Sequence, residues 1–153
     1  MGISPYIAAL RRSIGTTLLL VPCVSVLPRD PDGRLLLVRH RETGLWATIG
    51  GAIEPDESPE AAARREALEE ASVEVELRGI LAALGGPGYR ITYSNGDQVS
   101  CVCVAFDAIV VSGSPTPDHD ETTEVRWFAP AEIGTLEIGD LNRNLLRDVL
   151  ALD

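Results

Sequence analysis

The sequence predicts an α+β domain, a mixed β-sheet sandwich with helices on its faces. Apolar β-rich runs outnumber helical ones, and the turns between them are short and marked by Gly, Pro, Asp and Asn. Helical segments do not alternate regularly with strands, which argues against a series of βαβ units. The 153 residues, 45% of them hydrophobic, fit one domain with a real core rather than a disordered chain. Residues 1–153 therefore read as a single domain without repeats, low-complexity segments or linkers.

The elements follow in order. Ser4-Pro5 supplies a side-chain cap and a proline at the first helical position. Ile7, Leu10, Arg11 and Ile14 then recur at helical spacing up to Gly15, giving a short helix over about 5–14. Residues 16–27 form a β-rich run, 29–33 have turn chemistry, and 34–40 form a second run, together predicting a hairpin. Residues 42–46 read as a loop, and 47–53 cross Gly50-Gly51, where the backbone permits positive φ or close approach by other groups. Ser58 caps a helix that starts at Pro59 and runs to about Ala71, with Ala61, Ala62 and Leu68 available to pack. Strands are expected over 73–84, 89–93 and 98–111, the last a central one, with Asn95-Gly96 as a hairpin turn. An acidic loop over 112–121 leads to a strand at 124–128 and one helical turn at 129–133. Asp140 begins a last helix over 141–152 with Leu145, Leu146, Val149 and Leu150 as its apolar stripe.

Composition narrows the function. A net charge of −10 disfavours binding to a nucleic-acid duplex, which needs clustered Lys and Arg. It leaves room for a small phosphate ester held through a divalent cation. Cys23, Cys101 and Cys103 make an odd set without framework spacing, consistent with a reducing cytoplasm, and Cys101 and Cys103 share a strand face as core thiols. The apolar run over 18–27 follows Arg11-Arg12 but is too short for a membrane span and lacks a cleavage site, so it reads as a buried strand.

The chemistry concentrates between Gly51 and Val73. At ~100° per residue, Glu66, Glu69 and Glu70 occupy one ~100° sector of the helix. Two carboxylates ~5 Å apart repel by about 3 kcal/mol at an effective dielectric of ~20. A hard cation such as Mg²⁺ or Mn²⁺ removes that repulsion and also bridges substrate phosphates. A solvated acidic face balanced by Arg64 and Arg65 explains the helix equally well if taken alone. Gly50 offers a backbone carbonyl as a neutral ligand, and Glu57 either orients the ligands or accepts from Arg65.

Gly51, five residues, Glu57, seven residues, then Arg65-Glu66-Ala67-Leu68-Glu69-Glu70-Ala71-Ser72-Val73 resembles the signature of the Nudix hydrolases. Leu45-Trp46 and Val125-Arg126-Trp127-Phe128 also resemble that family. The resemblance implies an α/β/α sandwich and divalent-metal-dependent hydrolysis of a nucleoside diphosphate linked to another moiety. It implies that Glu66, Glu69, Glu70 and the Gly50 carbonyl hold the metal, and that Glu57 and Arg65 support the loop and helix. The general base is one of these carboxylates or one from a later loop. Glu121 is a candidate extra ligand or base, set against a solvated acidic loop.

Two positions depart from the pattern. Ser72 replaces a Gly expected to end the helix in a left-handed conformation, at a cost on the order of 1 kcal/mol. Ile49 replaces a frequent Pro and is expected to loosen the aim of Gly50. For a nucleotide-type small-molecule substrate, Arg39 and Arg41 are candidate phosphate contacts. Tyr93, Tyr89 and Trp46 are candidate stacking residues, although Trp46 and Trp127 also read as core. His40 and His119 receive no role. A Nudix-like ligand-binding or regulatory module without turnover is the alternative function, and a homodimer through the terminal helices is a further expectation.

Overall fold

The computed structural model describes residues 4–151, so Leu152, the expected end of the last helix, lies outside the described residues. The chain forms α1 (Pro5–Ile14), β1 (Leu19–Pro28), β2 (Leu35–His40), β3 (Trp46–Ala47), β4 (Ile49–Ala52) and α2 (Pro59–Ala71). It continues with β5 (Glu74–Leu84), a short 3₁₀ turn, β6 (Arg90–Thr92), β7 (Gln98–Ser112), β8 (Thr122–Phe128), α3 (Pro130–Ile133) and α4 (Asp140–Leu150). Ser4 caps α1 as expected, its Oγ accepting from Ile7 N at 3.2 Å. Gly139, rather than Asp140, occupies the cap of α4, and Asp140 is the first helical residue.

The strands make two sheets. One runs β4-β1-β7-β5, with β6 also on β7, and the other runs β3-β2-β8. β1 and β7 are parallel, and the other pairings are antiparallel, so the first sheet is mixed. The long apolar run of β7 is central, as expected. The predicted β1–β2 hairpin does not form: a single bridge between Arg29 and Leu35 joins the two strands, which then enter different sheets. The second half of β1 and the first four residues of β2 are buried, and each strand has its partner elsewhere.

Helices cover both sides, giving an α/β/α sandwich. α2 packs Ala62, Ala63, Ala67 and Ala71 against Val24, Val26, Leu36, Val38 and Phe106. Four small side chains bring the helix close to the strands. Ala61 and Leu68, expected to pack, face outward instead, Leu68 at 55% exposure. α4 places Leu145 and Leu146 in the opposite layer with Tyr89, Val99, Cys101 and Cys103, and each buried leucine contributes about 1.5–3 kcal/mol. Val149 and Leu150 of the same stripe are partly buried against this layer. Cys101 and Cys103 are free and buried, as read. Trp46 and Tyr89 are also core residues, which removes both from the stacking candidates: Trp46 meets Phe128 edge-on at 4.8 Å, and Tyr89 Oη donates to Asp148. No helix among the described residues is long and apolar enough to cross a membrane.

Candidate active site

The site forms where β4 passes beneath α2. Gly50 and Gly51 lie inside the strand, opposite Ser25 and Val24, and neither has positive φ. Close approach is what requires glycine here. A Cβ on Gly51 would sit 2.5 Å from Glu66 Oε1, and one on Gly50 would collide with the Val24 carbonyl. Ile49 is fully buried and pairs with Val26, so the strand entering Gly50 is anchored rather than loosened. Thr48 adds a polar tie, its N–H and Oγ donating to Asn142 Oδ1 of α4 at 3.0 and 2.9 Å. Ser25 Oγ donates to Thr48 Oγ at 2.7 Å.

Arg65 organises the acidic residues. Its Nε and Nη2 donate to Glu57 at 2.7 and 2.9 Å. Nη1 donates to Glu66 Oε1 at 2.8 Å and Glu69 Oε2 at 3.3 Å, and Nη2 also reaches the Ala52 carbonyl at 3.1 Å. All five guanidinium N–H groups are therefore used, as a planar fork allows. Glu57 also accepts from Glu54 N at 3.1 Å, which closes the loop between β4 and α2. Its hydrogen bonds from Arg65 hold its carboxyl below the usual range.

Glu66 and Glu70 are each 2% exposed, which excludes a solvated acidic face. Burial pushes the Glu66 carboxyl up to about 7, with Glu69 and Glu121 adding to the rise and Arg65 opposing it. Burial also raises Glu70 well above the usual range, helped by Glu66, Glu121 and Asp118 and opposed by the Gly50 N–H, which donates at 3.3 Å. Among the described residues, no three acidic, imidazole or thiol side chains converge into a ready cation cage. The donor set is nonetheless all oxygen, two of its carboxylates are enclosed, and only a glycine leaves room for Glu66. Those features fit a hard divalent cation.

Glu121 belongs to the same electrostatic group, since its charge acts on both Glu66 and Glu70. The other expected binding residues divide. Arg39 is engaged by Glu124 at 2.9 Å and the Gly44 carbonyl at 2.7 Å, pinning β2 to β8. Arg41 is exposed and donates Nη2 to the His119 carbonyl at 2.7 Å, beside the acidic loop. Tyr93 follows β6, beyond the Gln98 end of β7, whereas Gly50 lies level with Ala105 in the middle of that strand. His40, given no role from the sequence, lies beside the acidic loop. Burial lowers its proton affinity while Glu121 and Asp118 oppose that effect, so its ring lies against the acidic loop. Nothing in the sequence spacing marks it, because the contact arises only when β2 pairs with β8.

The chain is similar to known proteins. A MutT-like protein of Streptomyces ambofaciens is 32% identical over 113 residues, covering 74% of this chain and 66% of the relative. An NAD-capped RNA hydrolase NudC of Photobacterium profundum is 29% identical, covering 86% of this chain and 46% of the relative. The chain thus spans about half to two-thirds of the length of these curated relatives. A crystal structure of a MutT protein from Methanosarcina mazei Go1 shares the fold, with a TM-score of 0.71 at 22% identity over 88% of this chain and 96% of that one. The NUDIX domain family model matches residues 19–149, which include the Gly50-Gly51 strand, the loop at Glu57, the carboxylates of α2 and the acidic loop. With nearly the whole fold and every element of the site inside that match, the chain belongs to the NUDIX domain family.

Proposed function

We propose that this protein hydrolyses the diphosphate bond of a nucleoside diphosphate linked to a second moiety, with a divalent cation, Mg²⁺ or Mn²⁺, at the α2 site. The observation that carries the reading is the enclosure of Glu66 and Glu70 beside a glycine strand that leaves room for the Glu66 carboxylate. Carboxylates so placed are costly without a compensating positive charge. Arg65 supplies part of that charge, but it is spread over three carboxylates and a carbonyl.

Glu66, Glu69 and Glu70, with the Gly50 carbonyl and Glu121, would hold the cation. When bound, it supplies positive charge to the diphosphate oxygens and makes a nearby water more acidic. The residues of the chain do the rest. Arg65 and Glu57 fix the loop so that Gly50 and Gly51 keep their place under α2. One of the site carboxylates accepts the proton of the attacking water. Water oxygen bonds to phosphorus, the bridging P–O bond breaks, and the two products are a nucleoside monophosphate and the phosphorylated second moiety. Arg41 offers N–H groups to an anionic substrate at the rim. The free thiols suit a reducing compartment such as the cytoplasm.

Hydrolysis in heavy-oxygen water with Mg²⁺ tests the mechanism. One product phosphate should carry the label. Label-free products, formed by transfer to an organic acceptor, would contradict it.

A further inference from the structure

The last carbonyls of a helix have no partner within the helix. At α2 two of them are taken by another part of the chain. Thr122 Oγ donates to the Glu70 carbonyl at 2.9 Å, and Thr116 N–H donates to the Ala71 carbonyl at 2.9 Å. Thr122 is fully buried at the start of β8. Its hydroxyl also accepts from Asp118 N at 3.2 Å.

Asp118 then holds the loop that follows it. Its Oδ1 accepts from the N–H groups of Asp120, Glu121 and Thr122 at 2.9, 3.0 and 2.9 Å. The Glu121 carbonyl is fixed from the other side by Arg41 N–H at 2.8 Å. The backbone of Glu121 is therefore tied to the backbone of Glu70 through one hydroxyl and one short turn. Both segments supply carboxylates to the same electrostatic group.

We propose that Thr122 is a positioning residue: by bonding the Glu70 carbonyl it sets the separation of Glu121 from the carboxylates of α2, so that one divalent cation engages both segments. This rests on the metal-site reading given under Proposed function. A hydroxyl is needed because the position must donate to the helix carbonyl and accept from Asp118 at once. Valine has the same shape and does neither.

Mn²⁺ alone is the probe, its binding to the full chain followed by paramagnetic resonance of the free ion, without substrate. Thr122→Val should weaken Mn²⁺ binding about 10-fold, while Thr122→Ser stays within about twofold of the unaltered protein. Glu121→Gln should weaken binding to a similar degree, and the double variant should lose little more than either single one. Equal weakening in the Ser and Val variants, unchanged affinity in Thr122→Val, or additive losses would each overturn the proposal. If Thr122→Val does not fold, Glu121→Gln decides, because unchanged Mn²⁺ affinity in that variant removes the proposed link. An unaltered protein that binds no Mn²⁺ overturns the metal-site reading and this proposal together. Metal binding and turnover by the unaltered protein, with Thr122→Val unaffected, would overturn the proposal alone.

Discussion

At Glu70 a carboxylate is almost completely enclosed and accepts a long hydrogen bond from Gly50 N–H. Glu70→Gln keeps the shape and the acceptor but removes the charge, so the metal-free protein should melt at the same temperature or higher. Its rate should fall by about 100-fold or more. A clear loss of thermal stability together with retained activity would contradict the assignment. Gly51→Ala places a methyl group 2.5 Å from Glu66 Oε1. It should destabilise by about 1–3 kcal/mol and impair activity by displacing that carboxylate. Denaturant melts with parallel rate measurements check both outcomes. The Glu66 carboxyl titrates near 4.5 when exposed and near 7 in the fold, so the folded state holds the proton more tightly. Stability from this source is complete below 4.5 and is lost as pH rises through 7. Calorimetry of metal-free protein should show the melting temperature falling from about pH 5 to about pH 7.5, and added Mn²⁺ should raise it more at the higher pH. A metal-free protein whose stability rises across that interval would argue against this burial. These residue-level features were partly legible beforehand. The spacing singles out the carboxylates, Glu57, Arg65 and Gly50 as candidates, whereas the place of His40 beside the acidic loop depends on a long-range strand pairing that spacing does not encode.

Among the elements, α2 shows most clearly how local signals and packing divide the work. Ser58-Pro59 marked its start, and the Ser58 side chain accepts from Ala61 N at 3.1 Å. Its end was also anticipated: Ser72 takes the left-handed conformation with φ 58°. Ser72→Gly should relieve that strain and raise stability by up to about 1 kcal/mol, with turnover nearly unchanged. A drop in melting temperature would show that the docked acidic loop, rather than backbone strain, governs this helix end. The packing face of α2 was misjudged because leucine is ordinarily a core residue. Here the strands beneath leave room only for alanines, and Leu68 is turned outward. The β1–β2 hairpin failed for a related reason. A turn signal shows that the chain reverses, but it does not show that the two runs hydrogen-bond to each other. Both found better partners elsewhere, β1 along ten residues of β7 and β2 along β8.

For the whole molecule, two sheets between α2 and α4 bring together segments far apart in sequence: the glycine strand, the carboxylate helix and the acidic loop. The α/β/α class was legible because strand-rich runs and two capped helices with apolar faces leave few arrangements. The division into two sheets was not, since it rests on pairing choices made across the whole chain. The sequence pattern bears on the proposed chemistry more than on the leaving group, because the carboxylates occupy one short segment and the candidate substrate contacts are scattered along the chain. Turnover of a panel of nucleoside diphosphate derivatives and nucleoside triphosphates, with Mg²⁺ and with chelator, decides whether this chain is a cation-dependent diphosphate hydrolase. Cation-dependent release of a nucleoside monophosphate from at least one member is expected, abolished by chelator and by Glu70→Gln. Folded protein that turns over no member, or turnover that survives both chelator and Glu70→Gln, would contradict it.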